Sequence, residues 1–156
     1  MTNKDWSGCS CCSRQKLIGE YPKVVIEFAF DNQMLHSATE YIASLPRKPI
    51  GVLREKMLGR RPQETKAALL VLMQDYVRGR KLRPHELGDL GTRGSLRVQE
   101  FKCKNLRIAF YETTCAQSPE KTIVRLTNGF TKTGQTAPAA QVNKAHAIAA
   151  IDKGIR

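Results

Sequence analysis

Lys23 to Phe30 (Lys-Val-Val-Ile-Glu-Phe-Ala-Phe) is β-branched and aromatic, and reads as a first strand. Asp31-Asn32 supply turn and cap chemistry, after which the spacing predicts a helix over Gln33–Leu45. Its apolar positions Leu35, Ala38, Tyr41, Ile42 and Leu45 fall on one stripe, and Pro46 and Pro49 end it. A second helical stretch spans Ile50–Leu58. Pro62 then opens the strongest helical pattern, Gln63–Arg78, with Ala67, Leu70, Val71 and Val77 among its core candidates and Gly79 as its stop. Arg80–Gly94, broken by Pro84, Gly88, Gly91 and Gly94, reads as a loop. Beyond it the period changes from 3.6 to 2. Leu96–Cys103, Leu106–Thr113 and Thr122–Asn128 read as three successive strands, and Ala139–Ile151 as a closing, alanine-rich helix.

This order predicts an α+β fold: an antiparallel sheet made of a three-strand C-terminal meander plus the N-terminal strand, covered by two or three N-terminal helices, with a C-terminal helix. Residues 1–22, rich in Ser, Cys, Gly and charge and without sustained period, read as a poorly ordered arm, leaving 23–156 as the domain. If Lys104-Asn105 is a two-residue hairpin turn, Cys103 faces Leu106, Lys102 faces Arg107, Phe101 faces Ile108, Glu100 faces Ala109 and Gln99 faces Phe110. Alternation then sends Phe101, Cys103, Leu106, Ile108 and Phe110 to the core. Glu100, Lys102, Arg107, Ala109 and Tyr111 go to the other face. Lysine disfavours the positive φ that such a turn requires.

Charge narrows the partners. Lys and Arg number 26 against 14 Asp and Glu, a net +12 with pI near 9.8. Eleven of the bases and only three of the acids lie between Arg47 and Arg83. Such a stretch attracts RNA, DNA or an acidic protein, the alternative being a solvated helix face. The longest apolar run, Ala67–Met73, has seven residues where a membrane-spanning helix needs about 20. The N-terminus leads into no apolar signal core. The expectation is a cytoplasmic protein without a membrane partner. Five cysteines, an odd number, suit a reducing compartment. Cys9, Cys11 and Cys12 cluster without a second Cys-x-x-Cys pair or a His at ligand spacing, so no metal or other cofactor is expected.

Two cations opposed across a hairpin repel unless an anion bridges them. With Lys132 at the exit of the third strand, Lys102 and Arg107 are the elements needed to hold a scissile phosphate. RNA carries its own nucleophile, the 2′-OH, so a ribonuclease needs orientation, charge stabilisation and modest acid–base help. His146 on the last helix is a candidate acid, against the ordinary reading of a surface or interface histidine. Tyr111 is a candidate base-stacking residue or a filler of the groove edge. Arg78, Arg80, Lys81 and Arg83 are candidate RNA-binding residues. His36 and His85 have no partner in sequence and no assigned role.

At these residues the chain resembles a family. Glu40-Tyr41-Ile42-Ala43-Ser44-Leu45-Pro46 looks like the first-helix signature of the phage-derived, HigB-type branch of the RelE/ParE toxin superfamily. The helix Gln63–Arg78 with Gly79 and Leu82 is similar to its second helix and loop. Glu100-Phe101-Lys102, Leu106–Tyr111 and Phe130–Pro138 resemble its strand and C-terminal motifs, and Lys144-Ala145-His146 sits where its last helix has Ala-x-Arg. The resemblance spans roughly residues 24–150. It implies a RelE-like fold, a toxin–antitoxin system, and metal-independent cleavage of mRNA on the ribosome. It further implies a cognate helix-turn-helix antitoxin as partner. Carried over by position, Lys102, Arg107 and Lys132 match functional basic residues. The chain departs from the pattern at Thr133, in place of a second lysine, and at Lys102, where the arginine fork is lost. Two other readings stand beside this one: a gyrase-inhibiting toxin on the same scaffold, or a non-catalytic phage or prophage module that binds nucleic acid or a host protein.

Overall fold

The structure, a computed structural model, describes residues 16–18, 24–29, 37–45, 66–115 and 118–154. Among these, six strands form one sheet. They are β1 (Lys16–Ile18), β2 (Val24–Phe28), β3 (Leu87–Arg93), β4 (Leu96–Cys103), β5 (Leu106–Cys115) and β6 (Ser118–Thr131), in spatial order β1-β2-β6-β5-β4-β3. Neighbours run antiparallel except β2 and β6, which are parallel, with Glu27 opposite Arg125. The sheet is therefore mixed, not antiparallel throughout. The parallel pairing is allowed because a long crossover separates β2 from β6.

Helices α1 (Ser37–Ser44) and α2 (Lys66–Val77) cover one face. There Ala38, Ile42, Leu69, Leu72, Met73 and Val77 pack on Ile26, Phe28, Phe101, Ile108, Phe110, Val124 and Leu126. Phe101 and Phe110 stack with centroids 4.3 Å apart, and Tyr76 meets Phe101 edge-on at 5.2 Å. The third helix, α3 (Ala139–Gly154), lies on the opposite face, where Ala145 and Ala149 press on Val98, Ala109 and Tyr111. Alanines four residues apart line one side of that helix and let it approach the sheet closely. The expected single helical layer is thus two layers with the sheet between them, and the face opposite α1 and α2 is an interior for much of its length.

The β4–β5 hairpin has the predicted register, from Cys103↔Leu106 to Gln99↔Phe110, and continues to Val98↔Tyr111. Lys104 takes the left-handed conformation, φ 57°, that the two-residue turn demands. Four expectations need correction. Residues 87–93, read as loop, form edge strand β3 paired to β4. Lys16–Ile18, assigned to a poorly ordered arm, pairs antiparallel with β2. In α2 the buried residues are Leu69, Leu72, Met73 and Val77, while Ala67 is exposed and Val71 is 56% exposed. β6 runs longer at both ends than Thr122–Asn128. The start of the first helix, the stretch Ile50–Leu58 and the Cys9–Cys12 cluster lie outside the described residues. Among the described residues no helix is long and apolar enough to cross a membrane.

Candidate functional site

The face of the sheet under α3 carries two groups of charges, one sealed and one at the hairpin end. In the sealed group Arg125 is 3% exposed; its Nε lies 3.2 Å from Glu27 Oε1 and its Nη1 3.3 Å from Asp152 Oδ2. Lys16 Nζ approaches the other Glu27 oxygen at 3.3 Å. Tyr111 donates its hydroxyl to Asp152. Burial pushes the Glu27 carboxyl above its ordinary value even against Arg125 and Lys16. Burial, then the bond to Asp152, likewise raises the Tyr111 phenol. This group ties β1, β2, β5, β6 and the end of α3 together. At the start of α3, Asn128 Nδ2 donates to Gln141 Oε1 at 3.0 Å.

Toward the hairpin, beyond Ala109 in the register, stand Glu100, Lys102 and Arg107. Arg107 is 7% exposed and curls back over the turn, its Nη1 donating to the carbonyls of Lys104 (2.5 Å) and Leu106 (3.0 Å). Its Nε faces Glu100 Oε1 at 3.8 Å, an ion pair too long for a hydrogen bond, and both atoms are buried without a hydrogen-bond partner. Lys102 Nζ donates to the carbonyl of Pro84 at 3.1 Å. Lys132, half-buried, joins the turn through its backbone N–H, which donates to the Asn105 carbonyl at 2.7 Å. Burial pushes the Glu100 carboxyl above its ordinary value, and Arg107, Lys102 and Lys132 oppose that rise. The three cations singled out in the sequence therefore share the hairpin end: Arg107 against Glu100, Lys102 opposite it in the ladder, and Lys132 joined to the turn by its backbone.

Two other sequence candidates sit elsewhere. Tyr111 is fully buried beneath α3, with no ring face open to a base, which corrects the stacking reading. His146 is buried, its Nε2 donating to the Leu90 carbonyl at 2.9 Å; it fastens α3 to β3 and is placed for packing rather than as an exposed acid. Arg78, Lys81 and Arg83 are exposed after α2. Arg80 is committed within the protein: its guanidinium grips Glu86 at 3.1 and 3.0 Å and Asp75 at 3.1 Å. That fork, followed by the Arg83 backbone N–H, holds the Glu86 carboxyl down to about 2.

Beside the cations, between α2 and the hairpin, opens a cavity of about 520 Å³ lined by Ala68, Val71, Leu72 and Cys103 and rimmed by charged residues that include Lys102 and Arg107. Two features of this region escaped a reading that counted cations alone. Glu100 shares their face by simple alternation, a signal present in the sequence. Gly88 of β3 is the other, for a Cβ there would come within 2.5 Å of Lys102 Cε and 2.8 Å of Glu100 Oε2. Comparison with protein-family models, with curated proteins and with solved structures finds no match.

Proposed function

We propose that the protein is an endoribonuclease toxin of the RelE/ParE type that cleaves mRNA at the hairpin end of its sheet. The observation that carries this reading is the Arg107 guanidinium 3.8 Å from the Glu100 carboxyl, with Lys102 opposite Arg107 in the ladder and Lys132 tied through its backbone to the same hairpin turn. Three cations around one acid are more positive charge than the fold needs there, and a phosphodiester supplies the missing anion. In the reaction the 2′-oxygen attacks the adjacent phosphorus and the bond to the 5′-oxygen breaks, leaving a 2′,3′-cyclic phosphate and a 5′-hydroxyl. Arg107 and Lys102 hold the phosphate, Lys132 stabilises the charge that builds on its oxygens, Glu100 takes the proton of the 2′-OH, and solvent water protonates the departing 5′-oxygen. A carboxyl with a raised pKa suits that exchange. Exposed Arg78, Lys81 and Arg83 add non-specific attraction for the strand. The natural setting is cytoplasmic, on translated mRNA, with a helix-turn-helix antitoxin as the restraining partner.

The test is induction in bacteria with mapping of transcript ends, beside a Lys132→Met variant. New mRNA ends and growth arrest, both lost in the variant, are expected. Growth arrest with intact transcripts and a DNA-damage response would instead make the protein a gyrase-type inhibitor. No arrest at all would leave a non-catalytic binding module.

A further inference from the structure

The cavity between α2 and the β4–β5 hairpin has the size of a small-molecule site, which commonly spans about 300–1,000 Å³. Its composition is divided. The floor is apolar: Ala68, Val71, Leu72 and Cys103. Val71, 56% exposed, is a large aliphatic side chain on α2 that the described part of the core does not cover. The rim carries four cations, Arg80, Lys102, Lys104 and Arg107, against two carboxylates, Asp75 and Glu86, with His85 between.

Arg80 binds both carboxylates, bidentate to Glu86 and through Nε to Asp75, and offsets one of their two charges. With Lys102, Lys104 and Arg107 the rim stays net positive: Lys104 is exposed and Lys102 half-buried, while Arg107 is 7% exposed with its Nε buried against Glu100. Glu86 Oε1 already accepts from both Arg80 and the Arg83 backbone N–H, whereas Arg80 holds Asp75 through Oδ2 alone, so Asp75 is the carboxylate with room for further donors. A ligand that fits has a flat apolar body, an anionic group at one end, and hydrogen-bond donors along the opposite edge.

We propose that this cavity is a nucleotide subsite, holding the base next to the phosphate gripped by Lys102 and Arg107, and that it prefers guanine. The base lies on Val71 and Leu72, its phosphate reaches the cations, and its N1–H and 2-amino group face Asp75. Guanine alone among the four RNA bases offers two adjacent donors on its pairing edge, the pattern a carboxylate accepts. This inference rests on the reading of the hairpin end as an RNA site, and names the nucleotide that site selects. Because Lys102 and Arg107 line both places, base and scissile phosphate belong to the same or adjoining nucleotides.

The experiment titrates the ¹⁵N-labelled protein with GMP, AMP, CMP, UMP and inorganic phosphate, following the amides of Val71, His85 and Lys104, with calorimetry for affinity. GMP is expected to bind tightest and to shift all three amides. Val71→Gln, a polar change on an exposed helix position, is expected to weaken GMP about tenfold while leaving phosphate unchanged. Lys104→Ala weakens both. Equal affinity for GMP and phosphate, or GMP binding indifferent to Val71→Gln, would overturn the subsite. So would flat titrations throughout, the result expected if the cavity instead receives a protein side chain. Equal binding of GMP and AMP would overturn the guanine preference. Should the protein fail to cleave RNA yet bind GMP in a Val71-dependent way, the subsite stands and the catalytic reading falls. RNA cleavage with no nucleotide binding gives the converse.

Discussion

Arg125 and Asp152, 27 residues apart in the chain, meet at 3.3 Å with almost no solvent access to either, and through this contact α3 is held onto the sheet. Glu27 completes the pairing on the guanidinium's other side. Removing one member of such a group leaves the others as uncompensated buried charge, which outweighs the loss of attraction itself. Arg125→Met is expected to destabilise by about 3–5 kcal/mol. Glu40→Gln, an exposed change on α1, stays within about 0.5 kcal/mol. Urea unfolding of the two variants beside the parent checks both; equal midpoints would show that α3 is held by its alanine contacts alone.

Glu86 gives stability an acid limb. Its carboxyl is held down to about 2 in the folded protein by the Arg80 fork, against 4.5 ordinarily. The unfolded chain therefore takes up a proton first as pH falls, and the stabilisation, fully present above 4.5, is lost on the way down to about 2. Glu86→Gln lacks that stabilisation at neutral pH and lacks the slope. Unfolding midpoints at about pH 6, 3.5 and 2 are expected to differ most at the first and to converge at the last.

The meander and its register were legible because period-two alternation and the turn position constrain each other. Once Lys104-Asn105 is the turn, every pair from Cys103↔Leu106 to Gln99↔Phe110 follows. The same alternation set Lys102, Arg107 and Glu100 on one face. β3 was not legible, since Leu87-Gly88-Asp89-Leu90-Gly91 has the composition of a loop; it is a strand because β4 offers an unpaired edge. Nor could α2 reveal its buried side. Ala67–Met73 is apolar all round, and only the sheet beneath selects Leu69, Leu72 and Met73. Tyr111 was misplaced because a strand pattern says which face a residue takes, not that a helix from the far end of the chain will cover it.

Close packing of α1 on β6 depends on Gly129. A Cβ there would overlap the root of the Tyr41 ring, and that ring cannot swing clear without losing the Tyr41 Oη contact to Thr131 Oγ1 at 3.1 Å. Gly129→Ala is expected to destabilise by about 1–3 kcal/mol, the usual range for overpacking. In the Tyr41→Ala background the same change costs less, because only the contact with the position-41 Cβ at 2.8 Å remains. A double-mutant cycle by denaturant unfolding reads the coupling, and strict additivity would show that α1 sits farther from the strand than the structure places it.

If Glu100 accepts the 2′-OH proton, cleavage must rise with pH as that carboxyl ionises. Burial raises its value above the ordinary 4.5, so the limb of kcat/KM lies above 4.5. Lys132 is one of the cations opposing the rise. Lys132→Met is therefore expected to lower the rate by about 10²-fold and to move the residual limb to higher pH. Glu100→Gln abolishes the limb. A rate profile that Lys132→Met lowers without shifting would separate Lys132 from Glu100 and remove the proton-transfer role.

Gly88 tests whether the cations work through their placement. It touches no substrate in this reading, but a Cβ would come within 2.5 Å of Lys102 Cε and 2.8 Å of Glu100 Oε2. Gly88→Ala is relieved by swinging the Lys102 ammonium off the Pro84 carbonyl and by shifting the buried Glu100 carboxylate, at a cost in stability of about 1–2 kcal/mol. The expected signature is a split: the unfolding midpoint lowered only by that amount, RNA affinity reduced only modestly, and the single-turnover cleavage rate down about tenfold or more, because a shift of an ångström in a charge-stabilising group is felt in the transition state. If Gly88→Ala cleaves like the parent, the position of Lys102 is immaterial, and the phosphate must be gripped by Arg107 and Lys132 without it.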